Sequence, residues 1–474
     1  MARATPRSNP NYDVHFSDST IKTIFRRSLP VVKAEHVSIE QIPSGKSFNN
    51  RIYFINLNEP TTLSRPKWTA TRTDATQSVG VDEAASFVLK VAGSSFGPSK
   101  PQNEVACLLL LERYCPSVPA PRVVAWSDDG SRIRTPLDPR GSRARSPSWV
   151  LRTLTRVSRQ NGESKYGEME TKGRGWILMT RVPGRIISME DLTGVHGNTI
   201  MTQMAELVAT WRKQMPPARA IGNLRLMGRT LVPPPSATLY DRAILPGLDV
   251  YVDGLIANES PTTPLNTSLK YFTHKLKAEL RRLKTGELYE YNKEPVSKVV
   301  QRFIKEALPR LSMFDHGPET FVFTHYDLSP RNVLVSATTS GVEVTAVVDL
   351  EFAGFFPLPE EFANTVENNQ QEWPPHAYEV FLSTLKRLEA LPEALSQSLL
   401  SPSLGGTADI AFGGPEFHQA VLLARIVGNT APWWVKQESG LSDEELKREL
   451  TMARESVEKA VEKLEGMAGK EPQS

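Results

Sequence analysis

The order of patterns along the chain predicts an α+β protein built in two lobes, a sheet-rich lobe first and a larger, mostly helical lobe after it. Three observations predict it. Strand-like runs, HVSIEQI (36–42), RIYFINL (51–57) and SFVLKVA (86–92), crowd the first part of the chain with alternating apolar positions or β-branched and aromatic residues. In the later part the long segments carry apolar residues at helical spacing. Between the two regimes WILMTRVPGRII (176–187) ends a strand in Pro183-Gly184, a punctuation that suits a hinge. The expected division is therefore 1–182 and 183–474. At about 100 to 200 residues per domain, 474 residues allow two to four compact units and a large core.

The first three strands read as neighbours in one sheet. Between the second and third, residues 61–83 are polar and Thr-rich with no period, which predicts a mobile surface insertion. QNEVACLLLLERY (102–114) has the length and spacing of a helix, and the stiff PSVPAPRVVAW after it leads into a fourth strand. Residues 127–148 carry Arg132, Arg134, Arg140, Arg143 and Arg145 among Gly, Pro and Ser, so a second, disordered insertion is expected. Contact with RNA would want interleaved aromatics, which are missing, and the solvated loop is the preferred reading. Beyond the hinge, residues 198–215 place Ile200, Met204, Leu207, Val208 and Trp211 on one helix face, and 265–283 behave similarly. Residues 443–467 form a charged amphipathic helix with one narrow docking face. These stripes read as core. No period of fixed length recurs, which excludes a solenoid.

Composition removes several function classes. Fifty-six basic against fifty-three acidic residues leave a formal charge of +3, too small for so long a chain to argue electrostatic binding to nucleic acid or a membrane. The two cysteines, Cys107 and Cys115, sit in one apolar stretch where a helix would hold them too far apart to bridge, which points to a reducing compartment. The longest uninterrupted apolar run, 105–111, falls far short of the roughly 20 residues of a membrane helix, and the start MARATPRSNPNYDV lacks an apolar core segment. Arg3 and Arg7 give a faint transit-peptide flavour that Pro6 and Pro10 break. A cytoplasmic protein without membrane insertion is expected, with mitochondrial import the minor alternative.

The chemistry concentrates in FVFTHYDLSPRNVLVSATTSGVEVTAVVDLEFAGFFPLPEEF (321–362). FVF and NVLV are short apolar strands flanking a loop that contains His325, Asp327, Arg331 and Asn332, so polar groups gather at strand ends, where sites form. VEVTAVV (342–348) then runs into Asp349 and Glu351. With Ser340-Gly341 as a two-residue hairpin turn, paired residue numbers sum to 681 and Asn332 faces Asp349; a bulge would shift this register by one. An amide oxygen and a carboxylate meeting at one mouth suit Mg²⁺ that keeps water or phosphate oxygens as its other ligands. The bland reading is a loop whose His and Asp cap strand ends.

The same residues match the catalytic loop H-x-D-L-x-x-x-N and the following metal-binding Asp of kinase-like proteins. HYDLSPRNVLV followed by VVDLEFAGFFPLPEEF resembles the aminoglycoside phosphotransferase and choline-kinase-like family, most closely its fungal members. Asp349-Leu350-Glu351 stands where a protein kinase has D-F-G, and no A-P-E follows, so protein substrates are disfavoured. The resemblance implies a bilobal, protein-kinase-like fold, with a five-stranded antiparallel sheet and one helix up to about residue 182. It implies an ATP- and Mg²⁺-dependent phosphotransferase acting on a hydroxyl of a small molecule.

Carried over by position, Asp327 is the catalytic base, and Asn332 and Asp349 hold Mg²⁺, with Glu351 assisting. Lys90 matches the strand lysine that cradles the phosphates, and Glu104 the carboxylate that holds this lysine; an edge-strand charge and a first-turn acid are the competing readings. IPSGKSFNNRIYFI resembles the loop over the phosphates, with Ser44, Gly45 and Ser47, although a single glycine there also fits an ordinary turn. The strand end from Thr180 to Val182 would meet the purine with sequence-blind backbone groups, so ATP and GTP are not separated. His325 reads as structural.

A second function class remains open, a catalytically weak kinase-like protein that binds a ligand or partner. The acceptor is not legible. Glu360, Glu361, Glu367 and Glu372 could attract a cationic amine, but a solvated acidic face is the preferred reading. Trp373, Trp433 and Trp434 read as packing.

Overall fold

The computed structural model describes residues 10–30, 32, 36–42, 47, 49–64, 81–95, 97–137, 171–229, 231–245, 247–256, 261–315, 319–339, 341–361, 373–391, 415–437 and 441–468. Two compact units divide the chain. The first comprises Met1–Pro183, Leu224–Pro233 and Leu239–Tyr251, and the second Gly184–Asn223, Pro234–Thr238 and Val252–Ser474.

The first unit opens with helix α1 (Asp18–Ser28), begun by Ser17, whose hydroxyl accepts the Thr20 N–H. Strands β1 (Val37–Gln41), β2 (Asn50–Ser64), β3 (Val81–Ala92), β4 (Val123–Ser127) and β5 (Trp176–Thr180) form one antiparallel sheet in the order β1-β2-β3-β5-β4. Period-two alternation sorts its side chains. Tyr53, Ile55, Phe87, Leu89 and Val91 join Ile21, Ile24 and Phe25 of α1 in one apolar cluster. Phe25 meets Phe87 edge to face at 5.1 Å. Lys90, between Leu89 and Val91, points to the other face and meets Glu104 of helix α2 (Ser99–Tyr114). That helix is buried from Asn103 to Leu111 almost all round, so it has no clear apolar stripe.

The sheet is five-stranded and antiparallel as expected, but among the described residues two helices accompany it, not one. Helix α1 escaped because its short amphipathic stretch follows a Pro-containing start that reads as a loose tail. The insertion expected at 61–83 is strand at both edges, since Thr61–Ser64 pair with Val81–Ala84 after a register shift beyond Asn56. The second insertion also begins in order: Trp126 and Arg134 exchange backbone hydrogen bonds at 2.9 Å, and the Arg134 guanidinium pairs with Asp128. Arg140, Arg143 and Arg145 lie outside the described residues.

Strands β6 (Arg185–Ile186), β7 (Gly222–Gly228), β8 (Thr238–Leu245) and β9 (Leu248–Val252) were not anticipated beyond the run ending at Ile187. From Leu224 the chain returns to the first unit, where β9 lies between β7 and β8.

The second unit holds α3 (Met189–Thr193), α4 (Gly197–Gln214), α5 (Ser268–Thr285), α6 (Lys293–Glu306), β10 (Val322–Thr324), β11 (Val333–Thr338), β12 (Gly341–Val347), β13 (Gly354–Phe356), α7 (Pro375–Arg387), α8 (Pro415–Thr430), α9 (Trp434–Gln437) and α10 (Asp443–Ala468). The stripe of α4 is core: Ile200, Met204, Val208 and Trp211 are buried. Helix α10 buries Leu450, Ala453, Val457, Ala460, Val461 and Leu464, the narrow face its spacing predicts, against α8 and α6. Gly184 is needed for close approach, because a Cβ there would lie 2.5 Å from Thr345 Oγ1 and its φ is 124°. Among the described residues no helix is long and apolar enough to cross a membrane.

Candidate active site

Two short antiparallel pairings build the polar site of the second unit. Strand β10 pairs with β13, Thr324 opposite Gly354, so the loop after β10 and the turn before β13 emerge side by side. The β11–β12 hairpin then joins the far ends of that loop and that turn. Its register differs from the expected one. Thr338 pairs with Gly341, so the turn lies one residue earlier than Ser340-Gly341, and a bulge between Leu334 and Val335 shifts the outer pairs. Val333 therefore faces Val347, and Asn332 reaches Val348 where Asp349 was expected, accepting the Val348 N–H at 2.9 Å.

His325 completes this grip. It is fully buried, its Nδ1 accepts the Asp327 N–H at 3.3 Å, and its Nε2 lies 3.0 Å from the Val348 carbonyl. The only tautomer that satisfies both contacts carries its proton on Nε2 and donates it to Val348. Val348 is thus held through its N–H by Asn332 and through its C=O by His325, and Asp349 leaves from a fixed residue. Asp349 itself takes a left-handed conformation, φ 65° and ψ 54°, that turns the chain into the short 3₁₀ turn Leu350–Phe352. Such a conformation costs a non-glycine residue about 1–2 kcal/mol and persists where the surroundings over-determine it.

The side chains converge. Asn332 donates its Nδ2 to the Asp327 carbonyl at 2.7 Å and to Asp327 Oδ2 at 3.1 Å. With the amide nitrogen so engaged, the oxygen Oδ1 is the atom this side chain can offer a cation. Arg331 Nη2 reaches Asp327 Oδ1 at 2.7 Å, and the Asp327 side chain is 26% exposed. Carboxylate oxygens of Asp349 and the buried Glu351 lie within 4.8 Å of one another. The all-oxygen donors of Asn332, Asp349 and Glu351 are of the type that Mg²⁺ takes.

Beneath the loop lie charges that surface statistics would put in water. Glu360 and Glu361 are 1% and 2% exposed. Glu361 accepts the His325 N–H at 3.0 Å and the Tyr326 N–H at 3.4 Å; burial raises its pKa, against the lowering effect of Arg212 and of those two N–H groups. Glu360 accepts from Lys275 Nζ at 3.0 Å and from the Tyr271 hydroxyl at 2.7 Å. Lys275 also donates to the Tyr326 hydroxyl at 2.9 Å. Burial on its own would lower the Lys275 pKa, but Glu360 and Tyr326 reverse this and hold it above the lysine range. Tyr326, the residue before Asp327, is left-handed at φ 70° and its ring lies 4.7 Å from that of Phe356. The expected alternatives for Glu360 and Glu361, an amine-attracting cluster or a solvated face, both give way to an internal ionic support. Glu367 and Glu372 lie outside the described residues. Trp373 is buried packing, and its Nε1 donates to the Leu328 carbonyl at 3.3 Å.

The first unit carries the other expected residues. Lys90 Nζ donates to Glu104 Oε2 at 2.7 Å, with side chains 8% and 3% exposed, so neither the edge-strand charge nor the first-turn acid describes them. Lys90 pairs with Ile52 on one side and Ile177 on the other, in the middle of the sheet. At the end of β5 the Thr180 N–H donates to the Arg122 carbonyl and its Oγ1 accepts the Arg122 N–H, both at 2.9 Å, while the Arg181 N–H donates to Ser86. Val182 follows, half-buried. Ser47 accepts from Asn11 Nδ2 at 2.6 Å through its carbonyl, and Ser44 and Gly45 lie outside the described residues. The structure thus pairs Asp327 with Asn332 and Asp349 with Glu351 in the second unit, the two pairs linked through the backbone at Val348, and Lys90 with Glu104 in the first.

Sequence reasoning missed Tyr326, Lys275 and Asn11. No pattern marks them: Lys275 is one of several lysines on an amphipathic helix, and its partner is 85 residues away.

The model of the phosphotransferase enzyme family matches residues 72–395. No curated protein matches. Among solved structures, the ADP-bound aminoglycoside phosphotransferase APH(2'')-Ib is 11% identical with a TM-score of 0.48, covering 94% of this chain and 99% of that one. The gentamicin complex of APH(2'')-IIa is 11% identical with a TM-score of 0.45, covering 95% and 96%. A thermostable mutant of APH(4)-Ia with AMP-PNP and hygromycin B is 12% identical with a TM-score of 0.43, covering 95% and 98%.

Proposed function

We propose that this chain, which belongs to the phosphotransferase enzyme family, transfers the γ-phosphate of ATP to a hydroxyl of a small molecule in a Mg²⁺-dependent reaction. One observation carries the reading: a carboxylate, an amide and a second pair of carboxylates are fixed relative to one another by Val348, gripped between Asn332 and His325. Phosphoryl transfer asks a protein for positioning and charge stabilisation more than for covalent chemistry, and this arrangement supplies both.

In this reading Asp327 accepts the proton of the acceptor hydroxyl as the oxygen attacks phosphorus. Its Oδ2 is aimed by Asn332 and its Oδ1 is braced by Arg331, so the carboxylate has one orientation. Asn332, Asp349 and Glu351 hold Mg²⁺, which supplies counter-charge to the phosphate oxygens. Lys90, held by Glu104, neutralises the α- and β-phosphates. Ser44, Gly45 and Ser47 would meet the phosphates through backbone N–H groups. At the strand end a purine would be met by the backbone of Val182 and not by the Thr180 N–H, which Arg122 occupies. Glu360 and Glu361 are spent on Lys275 and on the loop, so they supply no charge to a cationic acceptor.

The test is release of ADP from ATP and Mg²⁺ across a panel of amine, sugar and lipid-head-group alcohols, on the wild type and on Asp327→Asn. The expected result is turnover with at least one acceptor, lowered about 10²- to 10⁴-fold in the variant with nucleotide binding kept. Equal turnover in both would remove Asp327 from the chemistry.

A further inference from the structure

Helix α2, which carries Glu104, has little of its own to fix its position. Its N-cap Pro98 makes no side-chain cap and its first turn holds no acid. Its apolar surface runs almost all round, so burial does not select one rotation strongly. Polar anchors do, and two of them come from the strands that return to the first unit. Near the start of the helix, Asn103 is fully buried and its Oδ1 accepts the Leu224 N–H of β7 at 2.6 Å, one residue before Glu104. At its end, the Tyr114 hydroxyl donates to Asp241 Oδ2 of β8 at 2.6 Å, and Arg113 Nη1 lies 3.3 Å from the same oxygen. Burial and Asp241 push the Tyr114 hydroxyl up to about 12, so it remains a donor through the neutral range.

The strand side of this contact is itself prepared. Arg113 also donates to the carbonyl of Ala243 at 3.3 Å, and Ala243 is left-handed at φ 67°. Asp249 accepts the Ala243 N–H at 3.1 Å and is paired with Arg229 at 3.4 Å. A non-glycine residue in that conformation costs about 1–2 kcal/mol, which marks a site held against strain by its surroundings.

We propose that Asp241 and Tyr114 are positioning residues: the β8 strand latches the end of α2 and thereby keeps Glu104 against Lys90 in the geometry the nucleotide phosphates require. This rests on the reading that the Lys90–Glu104 pair serves a nucleotide. From Tyr114 back to Glu104 the helix runs about 15 Å at 1.5 Å per residue. A tilt of about 5° pivoting on one end therefore displaces the other by about 1 Å, enough to cost an order of magnitude or more where phosphates are positioned.

The test is a double-mutant cycle read as the dissociation constant of Mg·ATP by calorimetry. Tyr114→Phe and Asp241→Asn are each made alone and in a Glu104→Gln background. Alone, each weakens Mg·ATP binding by about tenfold. With Glu104→Gln already present, the same substitution changes binding by less than about twofold, because no pair is left to position. Equal losses in both backgrounds would reduce the contact to general stability and overturn the latch. So would unchanged binding in Tyr114→Phe, which removes a single oxygen and keeps the cycle usable if Asp241→Asn does not fold. Wild type that binds no Mg·ATP would overturn the nucleotide reading, and the latch with it; wild type that binds, with additive variants, overturns the latch alone.

Discussion

Lys275→Met removes one half of the ionic support under the loop from His325 to Asn332, and the structure sets the size of the effect. Lys275 Nζ lies 3.0 Å from Glu360 Oε2, with side chains 6% and 1% exposed. At an effective dielectric of about 20, that separation is worth about 5–6 kcal/mol of gross attraction, set against several kcal/mol to desolvate each ion. The pair is thus near balance, but the broken pair is not. Methionine keeps the volume and leaves the Glu360 carboxylate with the Tyr271 hydroxyl, while its Oε1 has no partner among the described residues. The expected loss is about 3–5 kcal/mol at neutral pH.

Urea unfolding at neutral pH measures that number, and Lys275→Met with Glu360→Gln should recover most of the loss, because the stranded charge is then gone. A single-variant loss under about 1 kcal/mol would mean the pair is screened by water and the support is not internal.

Two further outcomes follow from buried or capped groups. Asp191 closes a capping box with Ser188 and takes two hydrogen bonds from Arg185, which hold its carboxyl well below the usual aspartate range. Its folded pKa is depressed, so its contribution is complete above pH about 4, shrinks as the pH falls below that and is lost only once the folded pKa is passed; Asp191→Asn should cost about 1 kcal/mol at pH 7 in urea unfolding and progressively less below pH about 4. Cys107 and Cys115 are free and buried, and burial raises both thiols, that of Cys115 to about 11. Native protein at pH 8 should therefore resist iodoacetamide at both sites until denaturant opens it, and rapid labelling without unfolding would contradict that burial.

What the sequence disclosed was what local pattern encodes. Strands β2 and β3 carry period-two alternation, β5 is a short continuous apolar run, and the loop from His325 to Asn332 stands out by its residue types and spacing. Residues that act through distant partners were illegible. Glu360 and Glu361 look like surface acids because charge pairs are usually solvated, and only the fold brings Lys275 up to Glu360 and the His325 N–H up to Glu361. The hairpin register failed for a local reason, since a bulge at Leu334/Val335 and an earlier turn leave no mark on an apolar run. Strands β7 to β9 were missed because their ladder partners are set by the return of the chain and not by any alternation strong enough to read alone.

The central claim is a nucleotide site that depends on a metal held by Asp349, and thermal unfolding with ATP, with and without Mg²⁺, tests it most directly on the wild type and Asp349→Asn. Binding to the native state alone raises the melting temperature by linkage, by about 2.7 kcal/mol of stability at a hundredfold excess over the dissociation constant. A rise that requires Mg²⁺ in the wild type and disappears in a folded Asp349→Asn is the predicted result. No rise in folded wild type at saturating Mg·ATP would contradict the account and favour a kinase-like binding protein.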